Sequence, residues 1–109
     1  MDIAYNSKAL RDLCEDVELA EAKFGRAISS TLLDRLADID AADTVDDLIA
    51  GQLAISKVGK REVLTISLGG GFAIFLEANH NEIPTNKRGE VKWGRIRRLQ
   101  LLKIERYEI

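Results

Sequence analysis

Residues 61–79 read REVLTISLGGGFAIFLEAN. In the first run Leu64, Ile66 and Leu68 share one face of an extended chain, with Val63, Thr65 and Ser67 on the other. In the second, Phe72, Ile74, Leu76 and Ala78 share a face, opposite Ala73, Phe75, Glu77 and Asn79. Side chains alternate across a strand, so both runs predict strands with two unlike faces. Glycine enters the left-handed backbone region without a Cβ clash. Gly69 to Gly71 are therefore expected to close an antiparallel hairpin.

Upstream the period changes to that of a helix. Between Ser7 and Phe24, the residues Leu10, Leu13, Cys14, Val17 and Ala20 make one stripe, and Asn6 or Ser7 is the expected cap. Gly25 punctuates the pattern. Ile28, Leu32, Leu36 and Ile39, widened by Leu33 and Ala37, predict a second helix over 26–38. Residues 43–51, DTVDDLIAG, read as one more helical turn or two. Asp43 is the expected cap, Val45, Leu48 and Ile49 the apolar side, and Gly51 the stop. The opening MDIAY has extended character, with Ile3 and Tyr5 on one face.

Downstream of the hairpin, residues 80–94 are polar, hold the one proline, Pro84, and predict a long surface excursion. Residues 98–107, RLQLLKIERY, predict a last strand. Leu99 and Leu101 are expected on one side and Leu102 and Ile104 on the other, as in a central strand. A strand, then helices, then mainly antiparallel strands imply an α+β fold. Two N-terminal helices would cover one face of the sheet and leave the other open. A chain of 109 residues suits a single domain over 1–109.

Composition narrows the function. One cysteine excludes an internal disulfide and a multi-cysteine metal site, and one histidine, His80, excludes a histidine pair for zinc. His80 reads as a turn residue and Cys14 as a buried structural thiol. The Gly-rich stretch precedes a strand, not a helix, and no Lys-Ser/Thr follows, so it is no phosphate loop. No cofactor or metal is expected. No segment has the length and apolarity of a membrane span, and no apolar signal core opens the chain, so a cytoplasmic protein is expected.

The net charge of −2 conceals a division. Residues 1–54 hold 12 acidic and 5 basic side chains, and residues 55–109 hold 6 and 11. An acidic helical layer on a basic sheet explains this, as does an anionic partner. Lys57, Lys60 and Arg61 cluster before the hairpin, and Arg95, Arg97 and Arg98 open the last strand, which ends at Arg106 and Tyr107. Such groups suit phosphate contacts.

Taken together, the chain resembles the RelE/HigB-type toxins of bacterial toxin–antitoxin modules, in the branch labelled killer or killer-suppression proteins. KALRDLCED at 8–16 is similar to that branch's first helix. LLDRLADIDAADTVDDL at 32–48 is similar to its second helix and the turn that follows. GGGFAIFLEAN, VKW and LLKIERY match its hairpin and final strand. The resemblance implies a RelE-like fold, a helix-turn-helix antitoxin as partner, and metal-independent cleavage of mRNA, commonly on the ribosome. There the RNA 2′-hydroxyl attacks the adjacent phosphate while cations stabilise the developing charge. It implies Lys60, Arg61 and Tyr107 as catalytic residues and Lys57, Arg98 and Arg106 as RNA contacts.

Two positions depart from the family pattern. Phe72-Ala73 stands where a Tyr-Arg pair is usual, and Arg106-Tyr107-Glu108 where Asp-Tyr-His is usual. Losing a cation beside the reacting phosphate costs about 10² to 10³ in rate. The alternatives are therefore a binding module that holds an antitoxin or nucleic acid without cutting, and a homodimer formed through the open face.

Overall fold

The computed structural model describes residues 1–48 and 51–107. The expected apolar Ile49, with Ala50, and the C-terminal Glu108 lie outside them. Ser7 caps the first helix as its short side chain predicts: its hydroxyl accepts from the Leu10 amide at 3.2 Å. The helix expected to reach Phe24 is broken in two. α1 spans Lys8–Glu15 and α2 spans Val17–Phe24, with Asp16 extended between them. The Asp16 carboxylate accepts from the amides of Glu18 and Leu19, at 3.0 and 3.3 Å. It thereby supplies α2 with an N-cap inside an otherwise unbroken apolar stripe. Gly25, at φ +85°, turns the chain into α3, Arg26–Ala41, three residues longer than expected.

The described residues of 43–51 make less helix than expected. Among the described residues of this stretch, a 3-10 turn over Val45–Asp47 is the only helix. Its cap is Thr44 rather than Asp43, and the Asp47 carboxylate reaches back to the amides of Asp43 and Thr44.

Five strands form one sheet. They are β1 (Asp2–Tyr5), β2 (Ala54–Val58), β3 (Arg61–Gly69), β4 (Phe72–Ala78) and β5 (Arg98–Arg106), in the order β1-β5-β4-β3-β2. Every pair is antiparallel except β1 with β5. The α+β class and the mainly antiparallel sheet agree with the sequence reading, with three helices in place of two. The β3–β4 hairpin closes as expected. Gly69, Gly70 and Gly71 lie at φ +80°, +58° and +81°. A Cβ on Gly70 would also meet the Ile28 side chain at 2.8 Å.

The helices cover one sheet face, and the core forms there. Leu32 and Ile39 of α3 pack with Leu64, Ile66, Ile74, Leu76, Leu99 and Leu101, all at most 1% exposed. Two expectations are corrected at this layer. The excursion after β4 is not wholly superficial: Trp93 and Ile96 enter the core, 8% and 0% exposed. In β5, Ile104 shares the core face with Leu99 and Leu101 instead of opposing them. Phe75 pairs with Lys103 and Leu76 with Leu101, so Leu102 is an extra residue opposite β4. That bulge resets the alternation for everything after it.

β2 was not foreseen. All five of its residues are exposed, so no buried face shaped its pattern. It extends the sheet to an edge beside β3.

The bulge assigns different costs to adjacent leucines. Leu101→Ala is expected to lose about 2–5 kcal/mol in urea denaturation, whereas Leu102→Ala, on the partly exposed face, loses only part of the about 1.5–3 kcal/mol that full burial of a leucine contributes. Equal losses would contradict the register.

Candidate functional site

Among the described residues, no helix covers the sheet face away from α1–α3. Register places Ser56 and Val58 of β2 beside Val63 and Arg61 of β3 on this face. Ala73, Phe75 and Glu77 of β4 share it, as do Lys103 and Glu105 of β5. Together with Asn6 and the bulged Leu102, these strands enclose a cleft of about 360 Å³ lined by Val58, Arg61, Val63, Phe75 and Lys103. Its floor is apolar and its rim charged. The Lys103 ammonium stands 4.8 Å from the Phe75 ring centre, and Tyr107 packs edge-on against the same ring at 5.7 Å.

A second cleft, of about 230 Å³, opens on the other side of Arg61. Lys60, Glu62, Glu77, Thr85 and Gly89 contribute to its wall, and Arg61 borders both clefts. Glu62 holds the long 80–97 segment over this cleft. Its carboxylate accepts from the Val91 amide at 2.6 Å and from the Trp93 indole at 3.2 Å. His80 closes the same segment at its ends. Its Nε2 accepts from the amides of Arg97 and Arg98, at 3.0 and 3.3 Å. A ring nitrogen that accepts carries no proton, so the neutral ring is the one that fits.

The candidate residues of the sequence are divided by this geometry. Arg61 and Tyr107 both face the unroofed side. Tyr107, however, is level with Gly71, whose carbonyl accepts its amide, while Arg61 reaches Glu77. Those anchor points lie six residues apart, roughly 20 Å of strand, but the Tyr107 ring reaches back to Phe75 between them. Lys60 lies in the β2–β3 turn and borders only the second cleft. Lys57 pairs with Glu62, which bonds the core Trp93, so Lys57 belongs to the helix-covered side. Arg106 also points that way: its guanidinium covers Phe72, which packs against Phe24 of α2. Arg98 sits at the far end of β5, 3.8 Å from Asp2. As strand alternation requires, Arg106 and Tyr107 face opposite sides.

The cation over the Phe75 ring, Lys103, was not singled out from sequence. Only the bulge puts it beside Phe75. Ala73 offers no charge: it is fully buried between Ser67 and Glu105 on the neighbouring strands. Among the described residues no cluster of His, Cys, Asp and Glu could hold a metal ion. No helix among them is long and apolar enough to cross a membrane.

Cys14 is no nucleophile. Burial, aided by the neighbouring Glu15 charge, pushes its thiol up to about 11. The chain matches no protein-family model, no curated protein and no solved structure.

Two outcomes follow from these contacts. Glu62→Ala strands two part-buried donors and is expected to cost about 1–3 kcal/mol in urea denaturation, with a red shift in Trp93 emission. Iodoacetamide at pH 8 should label native Cys14 roughly 100-fold more slowly than the urea-unfolded chain. The same shift makes stability pH-dependent. Below the ordinary thiol value of 9.0 both states keep the proton and the contribution is complete; as pH rises from there toward about 11 only the unfolded chain releases it, and stability falls.

Proposed function

We propose that this protein is the toxin-side member of a bacterial toxin–antitoxin module, a RelE/HigB-like protein whose unroofed sheet face holds messenger RNA. The observation that carries the reading is the first cleft, where Arg61 and Lys103 stand on either side of Phe75. Cations meet the phosphates of a single strand, and an aromatic ring receives a base of any identity. The adjoining second cleft, with Lys60 on its wall, continues the track past Arg61. Its setting would be the cytoplasm, on the ribosome, and its partner a small helix-turn-helix antitoxin that covers the same face.

Cleavage on this face needs no cofactor. The RNA 2′-hydroxyl attacks the adjacent phosphorus, the 5′-oxygen leaves with a proton, and a cyclic phosphate remains. Arg61 would stabilise the charge on the phosphorus centre and Tyr107 would move the proton. The arrangement favours holding over cutting, for three reasons. Ala73 brings no cation to the centre of the face. Arg61 and Lys103 are each paired with a carboxylate, Glu77 and Glu105. The Tyr107 ring is itself engaged edge-on with Phe75. The reading is therefore of an RNA-binding relative whose nuclease step is slow or lost.

Fluorescence anisotropy with a short labelled single-stranded RNA tests it. Wild type should bind at low salt and weaken as salt rises. Phe75→Ala should weaken binding roughly tenfold or more, and Lys103→Ala should reduce the salt dependence. Growth arrest on expression should disappear in Lys103→Ala and persist in Tyr107→Phe. Arrest abolished by Tyr107→Phe with RNA affinity intact would instead establish cutting, and absence of RNA binding at low salt would refute the proposal.

A further inference from the structure

Each cation in the first cleft is held by a carboxylate of the same face. Arg61 donates to Glu77, and the Lys103 ammonium lies 3.2 Å from Glu105. Lys103 and Glu105 are half-exposed, and the Arg61 side chain is 62% exposed over a Glu77 that is 20% exposed. The Lys103–Glu105 pair is wet enough to add little to stability, and the Arg61 guanidinium stays mostly in solvent above its partner. Nor does the sheet require these acids: their cross-strand neighbours are Gln100 for Glu77 and Ala73 for Glu105, and neither is a cation. What the acids do change is the charge that the face shows to an anion. Arg61 borders both clefts, so Glu77 stands at the junction any bound strand would cross.

We propose that Glu77 and Glu105 act as internal competitors for phosphate, occupying Arg61 and Lys103 and holding the face at low affinity. The inference rests on the reading of this face as an RNA surface. A phosphate arriving at Arg61 must displace Glu77 or accept its repulsion, and the same holds at Lys103 with Glu105. A cation that keeps its carboxylate partner neutralises less phosphate charge, so fewer counterions leave the RNA and the salt dependence is flatter than for a free cation.

The test uses the same labelled RNA with Glu77→Gln, Glu105→Gln and the double variant. Each glutamine keeps the size of the side chain and removes its charge. Thermal unfolding compared with wild type verifies that the fold is retained. Each single change should tighten binding roughly three- to tenfold at low salt. Each should also steepen the plot of log affinity against log salt by about 0.7. Asp34→Asn removes the same charge from the exposed side of α3 and should change neither quantity. Equal gains from Asp34→Asn would overturn the proposal in favour of a net-charge effect. Weaker binding by Glu77→Gln would overturn it by making Glu77 a support for Arg61. Wild-type binding that the glutamines leave unaltered sinks this inference alone, whereas RNA bound by no variant sinks it together with the RNA reading.

Discussion

β5 must bury Leu99, Leu101 and Ile104 beneath the helices, although strict alternation would put Ile104 on the opposite side. The extra residue at Leu102 resolves that conflict, and the candidate site depends on it. Without the bulge, Lys103, Glu105 and Tyr107 would turn toward the core and Arg106 outward. With it, an ammonium, a carboxylate and a phenol reach the unroofed face, and Arg106 moves to the helix side over Phe72. One inserted residue thus meets the demand for apolar burial and determines which polar groups meet solvent on the other surface.

The parts of the fold legible in the sequence are those where a single physical cause dominates. Positive φ at three successive glycines makes the hairpin, and Ser7 begins α1 because its hydroxyl satisfies an amide that the helix leaves free. The parts that were not legible involve two causes in competition. Asp16 sits inside a helical stripe, and its carboxylate is more effective as a cap than its backbone is as a helix interior. β2 has no buried face, so its edge pairing leaves no periodic trace. Trp93 and Ile96 are isolated apolar residues in a polar stretch. Both join the core cluster, and the Trp93 indole is fixed there by Glu62, a partner far away in sequence.

The candidate site divides along the same line. Arg61 and Phe75 could be placed on one face by alternation alone, because β3 and β4 pair in unbroken register from Leu64–Leu76 to Ser67–Ala73. Lys103 and Tyr107 could not, since their direction follows from the bulge. Lys57 and Arg106 look like members of a basic cluster in one dimension, but pairing sends both to the covered side. The basic second half of the chain is thus spread over two surfaces rather than concentrated on one.

That distribution has a chemical consequence. Charge on the unroofed face is neutralised locally, pair by pair, while its floor is Val58, Val63, Phe75 and Leu102. A surface so built binds less through long-range attraction than through contact with its aromatic and aliphatic floor, and its affinity is correspondingly less sensitive to salt. Catalysis at a phosphate makes the opposite demand: unpaired positive charge, preorganised where negative charge develops. Buried Ala73, with Glu105 directly across the strand pair, leaves the middle of the face unable to meet it. The same backbone can therefore offer a strand-sized track while withholding the electrostatics that cutting would need.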